Sequence, residues 1–230
     1  MAITEEKRPQ SGENYVITEE EMAGLSPVDV SDHPYTGVKR VLDAVLSAFG
    51  LMVLLLPIVI IALIIYVDDP GKVIFAQRRV GLGGKQFRVY KFRTMRLSTP
   101  KYMATSNVVD PNQYITRVGR ILRKLSLDEI PQLWNVLKGD MSLVGPRPLI
   151  PSEEQIHKMR SRFGVYTTRP GVTGLAQVNG RDTVLPADKV RYDWQYVNGF
   201  GFAMDLKILL STIPKVFSAS GVVEGGKKKK

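Results

Sequence analysis

The apolar residues of this chain concentrate in one long run. Ala44 to Val67 contains no charged residue, and Ser47 is its only clearly polar side chain apart from Tyr66. A helix rises ~1.5 Å per residue, so a run of this length reaches ~36 Å, more than the ~30 Å hydrocarbon layer of a bilayer. Core helices of globular proteins are seldom so long and so apolar. The run therefore predicts a segment that lies in a membrane.

Pro57 lies near the middle of this run and leaves two modes of insertion open. A proline removes one backbone hydrogen bond and clashes with the preceding turn. The run is then either a spanning helix with a tolerated kink or a helix–break–helix that enters and leaves by the same face. Basic residues flank it on both sides: Lys39 and Arg40 before it, and Lys72, Arg78, Arg79 and Lys85 after it. This asymmetry is too small to choose between the two modes.

The pattern beyond the membrane run is that of a globular region. Val73–Gln77 and Phe87–Phe92 have the composition of strands, and the glycines of 81–84 between them predict a hairpin. Helical spacing follows in four segments: Asn112–Lys124, Pro131–Lys138 closed by Gly139, Lys189–Val197, and Ala203–Phe217 interrupted at Pro214. The fold class predicted is α/β, mixed and rich in helix, with a small β-hairpin or sheet.

Charge separates the two ends of the chain from its body. Residues 1–37 hold eight acidic and two basic side chains, a net charge of −6. Because the whole chain carries +10, the remaining residues carry +16. We expect 1–37 to be a mostly disordered acidic tail, 38–67 the membrane segment, 68–220 a catalytic domain and 221–230 a Gly/Lys tail. A basic body points to an anionic partner, either nucleic acid, phospholipid or a phosphorylated small molecule.

Cysteine and histidine usage narrows the chemistry. The chain has no cysteine and only two histidines, His33 and His157. Disulfides, thiolate nucleophiles and Cys-ligated metals are excluded, and a multi-histidine metal site is nearly so. Any metal should be a hard cation held by oxygen, most plausibly Mg²⁺, and carboxylates should carry any acid–base or nucleophilic step.

The adjacent acids Asp128 and Glu129 are the main candidates for that chemistry. Ser126 and Glu129 have the spacing of a capping box, whereas a cap at Asp128 would put Pro131 in the first helical turn. Both arrangements set carboxylates at a helix N-terminus, which favours their ionised forms. A well-capped helix with no other role is the ordinary explanation. The cations just upstream favour a site instead: Arg117, Arg120, Arg123 and Lys124.

Further cations follow the same theme. Arg147 stands between Pro146 and Pro148, and a guanidinium on so stiff a loop suits bidentate contact with phosphate, although a solvated turn is the alternative. Other candidates lie on or after strands and turns: Lys91, Arg93 and, more weakly, Arg169 and Arg181. A carboxylate pair among arginines is what phosphoryl chemistry requires, namely a nucleophile, oxygen ligands for Mg²⁺ and charges that hold diphosphate.

Three ordered blocks carry a family resemblance: Lys91–Met95, Ser126–Pro148 and Arg169–Gln177. On these blocks the chain, from about Lys39 to Phe217, closely resembles the bacterial sugar transferase family, the monotopic polyprenyl-phosphate phosphoglycosyl transferases. The resemblance implies transfer of a sugar 1-phosphate from a nucleotide diphosphate sugar, typically a UDP-sugar, to undecaprenyl phosphate. That reaction initiates exopolysaccharide or O-antigen biosynthesis.

The same resemblance implies the roles of individual residues. Asp128 corresponds to a nucleophile that forms an aspartyl phosphosugar, and Glu129 with Asp128 to the ligands of Mg²⁺. The implied phosphate contacts are Lys91, Arg93 and Arg147, with Arg169 and Arg181 as weaker candidates. Pro57 corresponds to the hinge of a re-entrant membrane helix, although Leu56 stands where many relatives have serine.

The implied partners are the nucleotide sugar, undecaprenyl phosphate and the lipids of the bacterial inner membrane at its cytoplasmic face, with a homodimer also considered. No nucleic-acid motif is visible, and we expect no nucleic acid partner. The alternative function is a non-catalytic, membrane-tethered basic module that binds anionic lipid or nucleic acid. That alternative leaves the two acids among the cations unexplained. The sequence does not identify the sugar.

Overall fold

Two bent helices form the apolar part of the chain in the computed structural model, which describes residues 16–99, 113–180 and 184–218. They are α1 (Tyr35–Val53) and α2 (Leu55–Asp68), and the chain bends by 61° between them. The bend follows from Pro57, because proline has no N–H for the carbonyl of Val53 and its ring clashes with that carbonyl. The predicted helix–break–helix is therefore present, with the break at Leu54.

Length and composition set a limit on what these helices can do in a bilayer. Within the described ranges, no helix taken alone has the length and apolar character needed to cross a membrane. The bent pair of α1 and α2 satisfies the same test when the two helices are taken together. The pair thus suits either a broken span or a re-entrant segment.

Helix α1 is inverted relative to a surface helix of a globular protein. Its buried residues are Lys39, Asp43 and Ser47, which share one face at four-residue spacing. The Asp43 carboxylate accepts a hydrogen bond from the Leu143 N–H at 3.0 Å. Its apolar residues point outward instead: Val38, Val41, Leu42, Val45, Leu46, Phe49 and Met52 are all exposed. The polar face of α1 therefore docks on the domain, and its apolar face is left for another environment.

The predicted hairpin consists of β1 (Ile74–Val80) and β2 (Gln86–Phe92), paired antiparallel. Its turn contains Gly83 and Gly84 at positive φ, the backbone region that glycine enters without steric cost. Arg79 pairs with Phe87 in the register, and Phe75 pairs with Lys91. Because side chains alternate along a strand, Arg79 and Lys91 share one face of the hairpin.

A second, parallel pair holds the arginine-bearing loops together. Strands β3 (Ser142–Val144) and β4 (Gly171–Thr173) pair with Ser142 opposite Gly171. Gly145 follows β3 and lies so close to the next loop that a Cβ atom there would come within 2.4 Å of the Arg169 carbonyl oxygen. Only glycine allows this approach. The mixed, helix-rich α/β class is confirmed, but these two short strands had no clear signal in the sequence.

The remaining helices are α3 (Arg117–Lys124), α4 (Gln132–Lys138), α5 (Glu154–Arg162), α6 (Leu175–Val178), α7 (Pro186–Asn198) and α8 (Phe202–Ser218). Helix α3 begins at Arg117 rather than before it because the Thr116 side chain caps it, accepting from the Gly119 N–H. The interruption predicted at Pro214 is wrong. Helix α8 continues through it, since a proline removes only one hydrogen bond of the ladder.

Part of the predicted acidic tail is folded. Ile17 and Met22 are buried against α5 and α7 side chains, and Val30 is buried in a second cluster with Tyr196 and Phe200. The Glu19 carboxylate also pairs with Arg162 at 2.6 Å. Disorder through residue 37 is therefore wrong for residues 16–37. Their average composition is acidic, but a few apolar side chains suffice to hold the segment on the domain.

Candidate active site

Asp128 lies in a short 3₁₀ turn, Leu127–Glu129, that joins α3 to α4. The preceding Ser126 has φ of +56°, the only positive φ of a non-glycine residue in the described part of the chain. Such a conformation is uncommon and tends to mark turns that present functional side chains. Both predicted caps are wrong: Ser126 makes no side-chain cap bond to the turn, and α4 starts after Pro131 without a side-chain cap.

Glu129 is the point where two basic residues from distant parts of the chain meet. The Lys91 ammonium, from β2, lies 2.7 Å from Glu129 Oε1. The Arg147 guanidinium, from the loop after β3, lies 3.4 Å from the same oxygen. The Lys91 and Arg147 side chains keep 22% and 33% exposure, so a substrate can reach them. The structure thus assembles four predicted site residues: Asp128, Glu129, Lys91 and Arg147.

Asp128 is buried beside this cluster. Burial raises the pKa of Asp128 above its ordinary value, and the neighbouring Glu129 raises it further. Lys91, Arg123 and Arg147 act in the opposite direction. Among the described residues, burial and nearby charges act on this carboxylate, and no hydrogen bond to it contributes.

Two further arginines lie at the site: Arg123, one of the cations upstream of Asp128 that favoured a site, and Arg79, which the sequence analysis noted only beside the apolar run. Arg123, which donates to Thr94 Oγ1 at 2.9 Å, is close enough to lower the pKa of Asp128. Arg79 is mostly buried near Arg147 and Glu129, and burial together with Arg147 lowers the pKa of Arg79 to about 10. The strand alternation that places Arg79 on the face of Lys91 was the available signal. Arg79 was instead interpreted as one of the basic residues that flank the apolar run.

The structure does not bring the other predicted cations to Glu129. The Arg93 guanidinium pairs with Asp69 at the end of α2, with Nη1 3.1 Å from Asp69 Oδ2. Arg169 donates from Nε to the Gly139 carbonyl at 2.9 Å and so satisfies the C-terminus of α4. Arg181 lies outside the described residues. Substrate contacts by these three arginines stay predictions from the resemblance.

Asp128 and Glu129 provide two adjacent carboxylates as possible ligands for Mg²⁺. Within the described ranges, no group of three or more His, Cys, Asp or Glu side chains could enclose a metal ion. Two adjacent carboxylates nevertheless fit this ion, because Mg²⁺ commonly binds one or two carboxylates and completes its coordination with water and substrate phosphate. The residues present therefore fit Mg²⁺ that arrives with a phosphorylated substrate.

Exposed apolar side chains surround the site. Ile121 and Leu125 project from α3 and its end, and Trp134 projects from α4, all exposed. On the opposite side of α4, Val136 is fully buried. The helix after Asp128 thus packs in the core on one face and offers an aromatic side chain on the other.

Comparison with known proteins defines the class. A sequence profile of the bacterial sugar transferase family matches residues 34–219. The chain is also 40% identical over 185 residues to an uncharacterized sugar transferase, EpsL, of Bacillus subtilis, which covers 80% of this chain and 90% of that one. The chain therefore belongs to the bacterial sugar transferase family, as the resemblance predicted.

Other relatives carry more specific names. The chain is 43% identical over 190 residues to a UDP-glucose:undecaprenyl-phosphate glucose-1-phosphate transferase of Caulobacter vibrioides, over 78% of this chain and 70% of that protein. It is 38% identical over 210 residues to the Escherichia coli protein of the same name, over 86% of this chain but 45% of that protein. These matches confirm that the chain is an enzyme, a phosphoglycosyl transferase.

Proposed function

We propose that this chain transfers a sugar 1-phosphate from a nucleotide diphosphate sugar, a UDP-sugar in the first instance, to undecaprenyl phosphate through a covalent aspartyl phosphosugar. Transfer would initiate exopolysaccharide or O-antigen biosynthesis. The observation that carries the proposal is the buried Asp128 carboxylate, without hydrogen bonds from the described residues and next to Glu129 in a cationic pocket. The names of the relatives support the same reaction.

The charge of the pocket supports an anionic substrate. Three cations, Lys91, Arg123 and Arg147, act on the two carboxylates Asp128 and Glu129. Arg79 and Glu153 behind them add one charge of each sign. These groups together carry one net positive charge, which would offset part of the negative charge on the diphosphate of a nucleotide sugar. Without these cations an anionic nucleophile would be repelled by its own substrate.

The proposed reaction proceeds by two displacements at one site. An Asp128 oxygen attacks the phosphorus that bears the sugar, and the bond from that phosphorus to the bridging oxygen breaks, so the nucleoside monophosphate leaves with the electron pair. An oxygen of undecaprenyl phosphate then attacks the same phosphorus and frees the Asp128 carboxylate. Splitting the transfer lets a water-borne donor and a lipid acceptor use the site in turn.

Asp128 and Glu129 would hold Mg²⁺, which when bound supplies positive charge to the diphosphate. Lys91 and Arg147 both donate to one oxygen of Glu129. On substrate binding we expect both cations to turn toward phosphate oxygens, because a diphosphate is the more highly charged partner. Their present contact keeps them within reach of the reacting atoms.

The membrane arrangement is part of the proposal. The exposed apolar face of α1 and the almost wholly apolar α2 would enter the cytoplasmic leaflet of the inner membrane and leave by the same face. Exposed Trp134 near the site suits the headgroup region, where aromatic rings with a polar tip are favoured. In this arrangement Asp128 would lie near the level of the phosphate of a lipid acceptor.

Substitution of the nucleophile tests the proposal. Asp128→Asn should reduce release of nucleoside monophosphate and sugar phosphate transfer by more than about 10³-fold. Asp188→Asn, on α7, is the control and should keep full activity. Incubation with donor alone should give the wild-type chain a phosphosugar adduct on Asp128, detected by mass spectrometry. Full transfer by the Asp128 variant would refute the mechanism, and a chain that binds anionic lipid but never transfers would favour the non-catalytic alternative.

A further inference from the structure

The orientation of Arg147 is set by residues far from Asp128. Arg147 lies between Pro146 and Pro148, which restrict the backbone of its loop. Two other arginines bind carbonyl groups of this loop and hold it on the domain. Arg79 Nη1 donates to the Pro148 carbonyl at 3.3 Å, and Arg160 Nη1 donates to the Arg147 carbonyl at 2.9 Å.

Arg160 is the more unusual of the two. It lies on α5, its side chain is 2% exposed, and it pairs with Asp193 of α7, which is 1% exposed. Its Nε and Nη2 atoms bind Asp193 Oδ2 at 2.9 and 2.5 Å. A guanidinium has a planar fork of donors, so it can hold a carboxylate with one edge and a carbonyl with another.

Folding alone does not explain this choice of residues. A buried ion pair contributes little net stability, because desolvation of both charges offsets their attraction, and apolar residues of similar volume are often as good. The third contact of Arg160, to the Arg147 carbonyl, is the one that an apolar pair could not make. That contact joins α5 and α7 to the loop that carries Arg147.

We propose that Arg160, oriented by Asp193, is a positioning residue that holds Arg147 in the geometry needed to bind the diphosphate of the donor. This inference rests on the proposed function for the identity of the anion. Arg160 donates hydrogen bonds to Asp193 and to the Arg147 carbonyl, so it would act through the backbone of Arg147. Its loss should therefore affect binding and transfer only as far as Arg147 does.

The sharpest variant is Arg160→Lys. A lysine keeps the charge that neutralises Asp193, so the chain should still fold, but its single ammonium cannot also reach the Arg147 carbonyl with the geometry of a fork. The control is Arg162→Lys on the same helix, an exposed arginine paired with Glu19. Full-length chains in detergent with Mg²⁺ would be titrated with UDP by calorimetry, and sugar phosphate transfer would be measured in parallel.

We expect Arg160→Lys to weaken UDP binding and transfer by roughly tenfold, the effect of losing one hydrogen bond, here the bond to the Arg147 carbonyl. In an Arg147→Gln background the same change should have no further effect, because the group it positions is gone. A purely structural role would give effects that multiply. Multiplying effects, or full UDP affinity in Arg160→Lys, would overturn the inference.

Two further outcomes are distinguishable. If Arg160→Lys does not fold, the apolar pair Arg160→Met with Asp193→Leu replaces it, and it should fold yet show the same tenfold loss that Arg147→Gln abolishes. If the wild-type chain binds UDP but transfers no sugar phosphate, the proposed function fails. Non-additive loss of UDP affinity in the double variant would then still support the positioning role of Arg160.

Discussion

Two buried aspartates in this molecule differ in how their charge is met. Asp205 of α8 is fully served: its Oδ2 accepts from Lys39 Nζ at 2.5 Å and from the Tyr35 hydroxyl at 2.9 Å, and its Oδ1 accepts from the Tyr196 hydroxyl at 2.9 Å. Asp128 is equally inaccessible but accepts no hydrogen bond from the described residues. The first arrangement fixes helices, and the second leaves a carboxylate available for bonding.

The difference shows how a structural acid and a reactive acid can be told apart. Burial and the nearby Asp205 raise the pKa of Tyr196, so this phenol stays protonated and keeps donating. Around Asp128 the partners are cations, two of which reach toward a neighbouring carboxylate instead. A satisfied acid stabilises the fold it sits in, whereas an unsatisfied one costs stability and is retained for another reason.

The largest expected effect contrasts the two acids in stability. Asp205→Asn leaves the buried Lys39 without its counter-charge and should lower the free energy of unfolding by about 3–5 kcal/mol. Asp128→Asn should do the reverse and raise the thermal midpoint at pH 7, because burial penalises the ionised form that it removes. Thermal unfolding in one detergent measures both. A destabilised Asp128→Asn chain would break the comparison, and Lys39→Met added to Asp205→Asn should restore most of the loss.

The next effect concerns the cations of the two kinds of site. Lys91→Gln should reduce transfer by about 10²-fold, because this partly exposed side chain would face the phosphate groups in the proposed complex. Lys138→Gln, which removes an exposed lysine paired with Asp140 at 3.0 Å, is the matched control and should retain the wild-type rate. Steady-state rates at saturating donor distinguish the two variants. Equal rates would show that the pocket charge has no part in transfer.

The smallest effect is a shift in pH dependence. A nucleophilic Asp128 must be ionised, so transfer should fall as the pH is lowered through a pKa above the ordinary 3.8. Since Arg147 lowers the pKa of Asp128, Arg147→Gln should move this acidic limb to higher pH. Arg162→Gln, remote from the pocket, should leave the limb in place. The pH–rate profiles of the three chains provide the measurement, and a limb that Arg147→Gln does not move would sever the link between the two residues.

Local sequence pattern predicted the features that arise from short-range geometry. The bend follows from Pro57, the hairpin from the glycines of its turn, and α4 ends at Gly139, whose φ is +94°. The pairing of Lys91 and Arg147 with Glu129 had no such signal, since the partners lie 38 and 18 residues away. The family blocks supplied that grouping in place of any rule of spacing.

What escaped prediction depends on contacts between distant segments. Composition described residues 1–37 as an acidic tail, although Ile17 and Met22 are anchored by α5 and α7. The capping motifs at Ser126 and Asp128 were statistically reasonable, but the turn places Ser126 at positive φ and presents Asp128 to the pocket. The sequence pattern likewise gave no indication that Arg169 Nε bonds the Gly139 carbonyl. In each case a tertiary contact overrode a local preference.

The inverted polarity of α1 has a practical consequence for anyone who wishes to handle this enzyme without lipid. Lys39 and Asp43 are buried against the domain, so deleting α1 would remove the acceptor of the Leu143 N–H and two of the three hydrogen bonds that Asp205 accepts, those from Lys39 and Tyr35. A chain without α1 should therefore be unstable. Substituting the exposed apolar residues of α1 with polar ones, one at a time, is the way to raise solubility while keeping these contacts.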